Sequence, residues 1–358
     1  MSAVRVLVVD DSALMRRLVP QLLSGDPGIE VVGTAMDGVH ALRKVAALAP
    51  DVLTLDVDMP RMDGIETLRA LREANGPPAV VLSSLTRRDA DLAFRALAAG
   101  AFDVVAKPHA AISTHIHEIA AELVAKIKAA AGARAVALAP PLPAAVPAPS
   151  AVPATAAGRQ RAAAERVLAI GVSTGGPNAL TYLLPQLPAD FPAATLVVQH
   201  LPPGFTAMFA ARLNAASRLE VREARDGDLV GPGRVLIAPG DRHLRVTRGA
   251  LGAIAVLSDA PPARGHRPSA DVLFASVAEE FGAAATGLIM TGMGDDGAAG
   301  LARIRQRGGR TLAQDERSCV VFGMPRAAIE SGAVDEVVAL AELPRYLRRH
   351  YEQGREVA

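Results

Sequence analysis

The chain has 358 residues and a formal net charge of +1; half of it is hydrophobic, 21% is charged and 3% is aromatic, with no Trp. That is more than one ordinary domain. Basic and acidic side chains balance in each half (14 against 16 in residues 1–128, 20 against 20 in 167–358), which, with so few aromatic rings, argues against a nucleic-acid surface built on charge or stacking.

The opening segment MSAVRVLVVDDSALMRR meets acids after a short apolar run, so it does not read as a secretory signal. Five short β-branched runs follow in the first half: VRVLVVD, IEVVGTA, DVLTLD, PAVVLSS and DVVAK. Amphipathic stretches separate them, the helix after the second run starting past the turn Asp37-Gly38. This alternation predicts βαβ units and a doubly wound parallel sheet. Its strand ends carry Asp10 and Asp11, Asp56, Ser83 and Ser84, and Lys107. Such a sheet gathers those ends in one crevice. Carboxylates crowded there repel one another, and a hard divalent cation such as Mg²⁺ relieves the repulsion. A hydroxyl and an ammonium opposite suit phosphoryl oxygens.

Residues 129–165 are rich in Ala and Pro and lack apolar periodicity. Ala135 to Gly158 is uncharged but holds Pro140, Pro141, Pro143, Pro147, Pro149 and Pro153, too many for a membrane-spanning helix. The stretch reads as a flexible linker between domains at 1–128 and 166–358. With a single cysteine, Cys319, the chain cannot form an internal disulfide. A cytoplasmic protein with no membrane insertion is expected.

The second half repeats the α/β style with VLAIGVS, ATLVVQH, GRVLIAP, TGLIMTG and GGRTLAQD, plus a hairpin around HLRVTRGALGAIAVLS. A Rossmann-like parallel α/β domain is predicted. Gly171-Val172-Ser173-Thr174-Gly175 matches the G-x-S-x-G turn that lifts a serine above a sheet. His200 ends the next strand, and Asp295 and Asp296 follow a later one. A serine hydroxyl needs a base, and that base needs an orienting carboxylate. The order Ser, His, Asp is not that of α/β-hydrolases, which implies another fold with the same chemistry. A competing reading is the literal G-x-G-x-x-G of Gly292 to Gly297, with Asp315 near the place of a ribose-binding acid; two carboxylates inside that loop oppose a pyrophosphate. His243 and His266 lie near turns, where they either border the site or only support the turn. Cys319, beside two valines, reads as a small buried hydrophobe.

The first half, through VVDDS, LDVDMPRMDG, SS and KP, resembles a response-regulator receiver domain over residues 4 to about 125. The resemblance implies that Asp56 is phosphorylated, that Asp10, Asp11, Asp56 and the Asp58 carbonyl hold Mg²⁺, that Ser83 and Lys107 bind the phosphoryl group, and that the Lys107-Pro108 bond is cis. With IGVSTGGPNAL, QHLPPGFT, APGDRHL, HRPSADVLF, LIMTGMGDDGAAGL and GMPRAAIESGAVDEVV added, nearly the whole chain resembles the chemotaxis protein-glutamate methylesterases, the CheB family. That implies Ser173 as nucleophile, His200 as general base and Asp296 as its orienting acid, with an oxyanion hole from the backbone amides near Thr174 and Met293. The implied reaction is hydrolysis of glutamate γ-methyl esters on methyl-accepting chemoreceptors, with deamidation of glutamines as a companion. It needs no metal in the esterase half. A chemotaxis histidine kinase is the implied phosphodonor, and the unphosphorylated receiver is expected to restrain the esterase. A nucleotide-binding enzyme and a non-catalytic binding module remain the alternatives.

Overall fold

The computed structural model describes residues 3–84, 86–107, 116–132 and 164–353. Pro108, His109, His115 and most of the 129–165 stretch lie outside them. The chain divides into two compact units, Met1–Ala135 and Val136–Ala358, and no helix among the described residues is long and apolar enough to cross a membrane.

In the first unit, β1 (Val4–Val9), α1 (Met15–Leu23), β2 (Ile29–Ala35), α2 (Gly38–Leu48), β3 (Val52–Asp56), α3 (Gly64–Glu73), β4 (Ala79–Ser83), α4 (Arg87–Ala99), β5 (Asp103–Ala106) and α5 (Ile116–Gly132) alternate along the chain. The sheet is parallel in the order β2-β1-β3-β4-β5. Helices cover both faces of such a sheet, so β3, β4 and β5 are buried along their whole length. Helix starts carry their own signals: Asp37 caps α2, and Asp63 with Glu66 forms a capping box at α3. The helix α5 continues to Gly132, so the first four residues of the stretch expected to be linker are helical. They read AAAG, and alanine suits a helix as well as an Ala/Pro tether; composition alone does not separate the two.

The second unit contains β6 (Val167–Val172), α6 (Gly176–Leu183), β7 (Ala194–Gln199), α7 (Phe205–Ala216), β8 (Glu220–Glu223), β9 (Arg234–Ile237), the hairpin β10 (His243–Gly249) and β11 (Gly252–Ser258), α8 (Ala270–Phe281), β12 (Ala285–Ile289), α9 (Ala298–Gln306), β13 (Arg310–Gln314), α10 (Met324–Glu330), β14 (Glu336–Val338) and α11 (Leu343–Gln353). Seven parallel strands run β14-β13-β12-β6-β7-β9-β8. The order reverses between β6 and β12, the place where open α/β sheets bind ligands beyond their carboxyl ends. Two strands escape the sequence pattern, β8 and β14, and they are the two edges. An edge strand pairs on one side only and tolerates charge, so EVRE and EVV lack the apolar run that marks β6 or β7.

The last helix is tied to the start of β6. The buried Tyr351 hydroxyl donates to the Val167 carbonyl at 3.0 Å, the Phe191 ring meets its ring edge-on at 5.0 Å, and the Arg166 guanidinium lies over it at 4.4 Å. Replacing Tyr351 by Ala should cost the second unit about 4 kcal/mol of stability, and Tyr351→Phe about 1 kcal/mol, in chemical denaturation of the full chain. A Tyr351→Ala chain as stable as wild type would contradict this.

Candidate active site

Strand register sets Ser173 and His200 at the ends of neighbouring strands. Val172 pairs with Gln199, so the next residue on each neighbouring strand is Ser173 and His200. The buried Gln199 amide donates to both of their carbonyls, at 3.0 and 3.2 Å. On the other side, Gly171 pairs with Ile289 of β12, and the Ser173 amide donates to the Thr291 carbonyl at 3.0 Å. The serine thus leaves the sheet at the reversal point, between His200 and the loop after β12.

Two glycines make that approach feasible. Gly175 caps α6 with φ at +78°, and a Cβ there would lie 2.6 Å from the Val320 Cβ. A Cβ on Gly292 would lie 2.9 Å from the Ser173 Cβ and 2.3 Å from the Met324 sulfur. Only hydrogen fits, so the Gly292-Met293 backbone passes directly beside the serine. Among the described residues neither the Thr174 nor the Met293 amide donates to a backbone acceptor. The Thr291 hydroxyl ties both loops together, donating to the Thr174 carbonyl at 2.9 Å and accepting from the Val320 and Val321 amides.

Asp296 is buried and its carboxylate is saturated. It accepts from His200 Nε2 at 2.9 Å, the Ser269 hydroxyl at 2.6 Å, and the Ala270 and Asp271 amides at 2.7 and 3.1 Å. The last two amides are the first turn of α8. The Ser269 hydroxyl, at the cap position, makes no bond to its own helix; it donates to Asp296 instead. Burial alone would raise the Asp296 pKa, but the bonds from His200, Ser269 and Ala270 outweigh it and hold the group down at about 2. Asp295 points outward and shares Arg264 with Asp271.

Several contributors escaped the sequence reading. Ser269 in HRPSADVLF looks like an ordinary helix cap, and nothing in the sequence shows that its hydroxyl serves another residue. Gln199, a polar residue closing the apolar run TLVVQ, is a signal visible in the sequence. His266, left between two roles, stacks on His200 with ring centroids 4.1 Å apart. His243 is buried, with Nε2 against the Pro261 carbonyl at 3.2 Å, and supports its turn. Cys319 is buried, which pushes its thiol pKa well up. The dinucleotide reading loses its parts: Asp296 faces inward, and Asp315 caps the short turn at Ser318.

In the first unit the strand ends converge as the doubly wound sheet requires. Carboxylate oxygens of Asp10, Asp11 and Asp56 lie within 4.8 Å of one another. Lys107 Nζ stands 2.7 Å from Asp56 and 3.1 Å from Asp10. Burial pushes the Asp56 pKa up to about 6 and raises that of Asp10 despite the lysine. Lys107 is raised: burial opposes its charge, and its bonds to Asp56 and Asp10 prevail. Three carboxylates against one ammonium, all oxygen donors, fit a hard divalent cation. Asp58 sits exposed two residues past Asp56. Ser83 lies beside Lys107, whose amide donates to its carbonyl at 2.8 Å, but the Ser83 hydroxyl donates to the Asp89 carbonyl at 3.0 Å and is engaged by α4.

The CheB methylesterase family model matches residues 168–347, and the response regulator receiver domain model matches residues 6–117. A protein-glutamate methylesterase/protein-glutamine glutaminase 2 from Koribacter versatilis is 51% identical over 96% of this chain and 95% of its own length. A protein of that name from Symbiobacterium thermophilum is 48% identical over 98% of both. The crystal structure of the Thermotoga maritima CheB methylesterase catalytic domain is 42% identical, covering 51% of this chain and 96% of its own, with a TM-score of 0.50.

Because the Asp296 pKa lies below its ordinary value of 3.8, its ionised form stabilises the fold above about pH 4. That contribution, about 2 kcal/mol, is lost as pH falls through about 2. Denaturation of wild type and Asp296→Asn across this range should show the acid-side slope reduced in the variant; equal slopes would contradict it.

Proposed function

The chain belongs to the CheB methylesterase family, and from that premise we propose that Ser173, His200 and Asp296 form the triad with which it works. Its activity is phosphorylation-regulated hydrolysis of glutamate γ-methyl esters and deamidation of glutamines. The observation that carries the assignment is the buried Asp296 carboxylate on His200 Nε2, one strand from the serine.

With Nε2 bonded to Asp296, the nitrogen left to take the serine proton is Nδ1, which is buried and has no partner among the described residues. Ser173 Oγ attacks the ester carbonyl as its proton passes to His200. The carbonyl oxygen becomes an oxyanion facing the Thr174 and Met293 amides, whose dipoles are fixed before the charge appears. His200 then gives the proton to the departing methoxide, and methanol leaves. Water, deprotonated by the same imidazole, frees the glutamate from the serine. A glutamine enters the same geometry and releases ammonia. Asp296 stays ionised throughout and holds the imidazolium in place.

In the receiver unit, Asp56 is the carboxylate placed to accept a phosphoryl group, with Lys107 to hold its oxygens; Ser83 would have to leave the Asp89 carbonyl to join it. Asp10, Asp11, Asp56 and the Asp58 carbonyl would hold Mg²⁺, which when bound supplies positive charge to draw phosphoryl oxygens toward Asp56. Methyl-accepting chemoreceptors are the proposed substrates, a chemotaxis histidine kinase the proposed phosphodonor, and the cytoplasm the proposed compartment.

Ser173→Ala should lower methanol release from methyl-labelled receptor membranes by at least about 10⁴-fold in a folded chain. Turnover near the wild-type rate would overturn the nucleophile. A small-molecule phosphodonor should raise wild-type release; Asp56→Asn, or chelation of divalent cations, should remove that rise and leave the basal rate. A rise that survives both would refute Asp56 as the switch.

A further inference from the structure

His266 lies on the connection between β11 and α8, outside the proposed triad. Its ring is parallel to that of His200, with 6° between the planes and 4.1 Å between centroids. The segment that carries it is fixed from both sides. Ala263 and His266 exchange backbone hydrogen bonds at 3.0 and 2.9 Å. Arg264 holds Asp271 at 2.9 Å and also binds Asp295. Arg267 donates to Asp241 at 2.9 Å and to the Asp259 and Ala260 carbonyls at 3.1 and 3.2 Å. His266 is therefore a braced wall against the face of the catalytic ring.

A base has two geometric requirements here. One in-plane bond from Nε2 to Asp296 fixes where that edge of the His200 ring sits, but the ring can still tilt about the bond. Tilting moves Nδ1, the nitrogen left to take the serine proton. A flat partner stacked on the face blocks the tilt. Resting on the reading of His200 as base, the geometry points to His266 as a positioning residue that sets the plane of the catalytic imidazole and couples its protonation to its own charge. Two imidazolium rings at this distance repel, so a protonated His266 disfavours protonation of His200.

Among the described residues, the other charges of the segments around the pair are Asp296 and Asp295 from the β12–α9 turn, Asp271 from α8, Arg264 and Arg267 from the same segment, and Asp241 from the β9–β10 connection. All are unchanged when only His266 is replaced. A difference in pH profile then reports on His266 itself.

The test compares full-length wild type, His266→Ala and His266→Phe on methyl-labelled receptor membranes, measuring kcat, KM and the acid limb of kcat. His266→Ala should lose about tenfold or more in kcat with KM within about twofold. His266→Phe restores the flat partner, so kcat should recover to within about threefold of wild type. Its acid limb should move to higher pH, because His200 no longer faces a second positive charge and its imidazolium gains an aromatic face. Wild-type kcat and acid limb in His266→Ala would overturn the inference. So would equal losses in both variants with the acid limb unmoved. His200→Gln, run alongside, separates the two readings: retained turnover there defeats the base assignment itself, whereas lost turnover beside two wild-type-like His266 variants defeats only the role given to His266.

Discussion

The catalytic unit depends on a buried negative charge seated on the end of a helix. An ionised carboxylate deep in a fold is costly unless donors replace its water. Asp296 meets four: an imidazole, a hydroxyl and two amides of the first turn of α8. Those amides belong to the orphan donors of a helix start, and the helix dipole favours negative charge there. One interaction therefore caps α8, keeps Asp296 ionised and fixes the edge of the His200 ring. The glycine-lined loop after β12 delivers the carboxylate, and the connection before α8 delivers Ser269 and the histidine stacked on His200.

Both units exploit the same property of a parallel sheet and put different chemistry on it. In each, the strand order reverses next to the first strand of the unit, and loops diverging there leave a crevice. The receiver unit fills the crevice with three carboxylates and an ammonium, a set suited to a cation and a phosphoryl group. The catalytic unit fills it with a serine, an imidazole and amides, a set suited to a carbonyl whose oxygen becomes charged. The fold supplies the crevice; the side chains at the strand ends decide the reaction.

The central strands were legible because burial on both faces demands continuous β-branched runs, as in VLAIGV and TLVVQ. So were the polar residues that end them, Ser173, His200, Asp56 and Lys107, because a charge or hydroxyl directly after such a run has few structural uses. The edges β8 and β14 were not legible, since half-solvated strands carry charged residues that read as loop. Nor was the start of the linker, where AAAG continues α5. Ser269 shows a subtler limit. Its cap signal was visible, but which acceptor its hydroxyl serves depends on a residue 27 positions away. The stacking of His266 on His200 is likewise a product of tertiary packing, as is the capture of the Ser83 hydroxyl by α4.

The measurement that bears most directly on this account is the rate of methanol release by Asp296→Asn, with the variant shown to be folded. An asparagine keeps the shape and one acceptor oxygen, enough for one of the two α8 amides that bond separate carboxylate oxygens in Asp296, and removes the charge proposed to hold the imidazolium and its tautomer. The account predicts a fall in kcat on the order of 10³-fold to 10⁴-fold with little change in KM. A rate within about tenfold of wild type would show that His200 does not rely on this carboxylate, and that the charge at the head of α8 serves the fold alone.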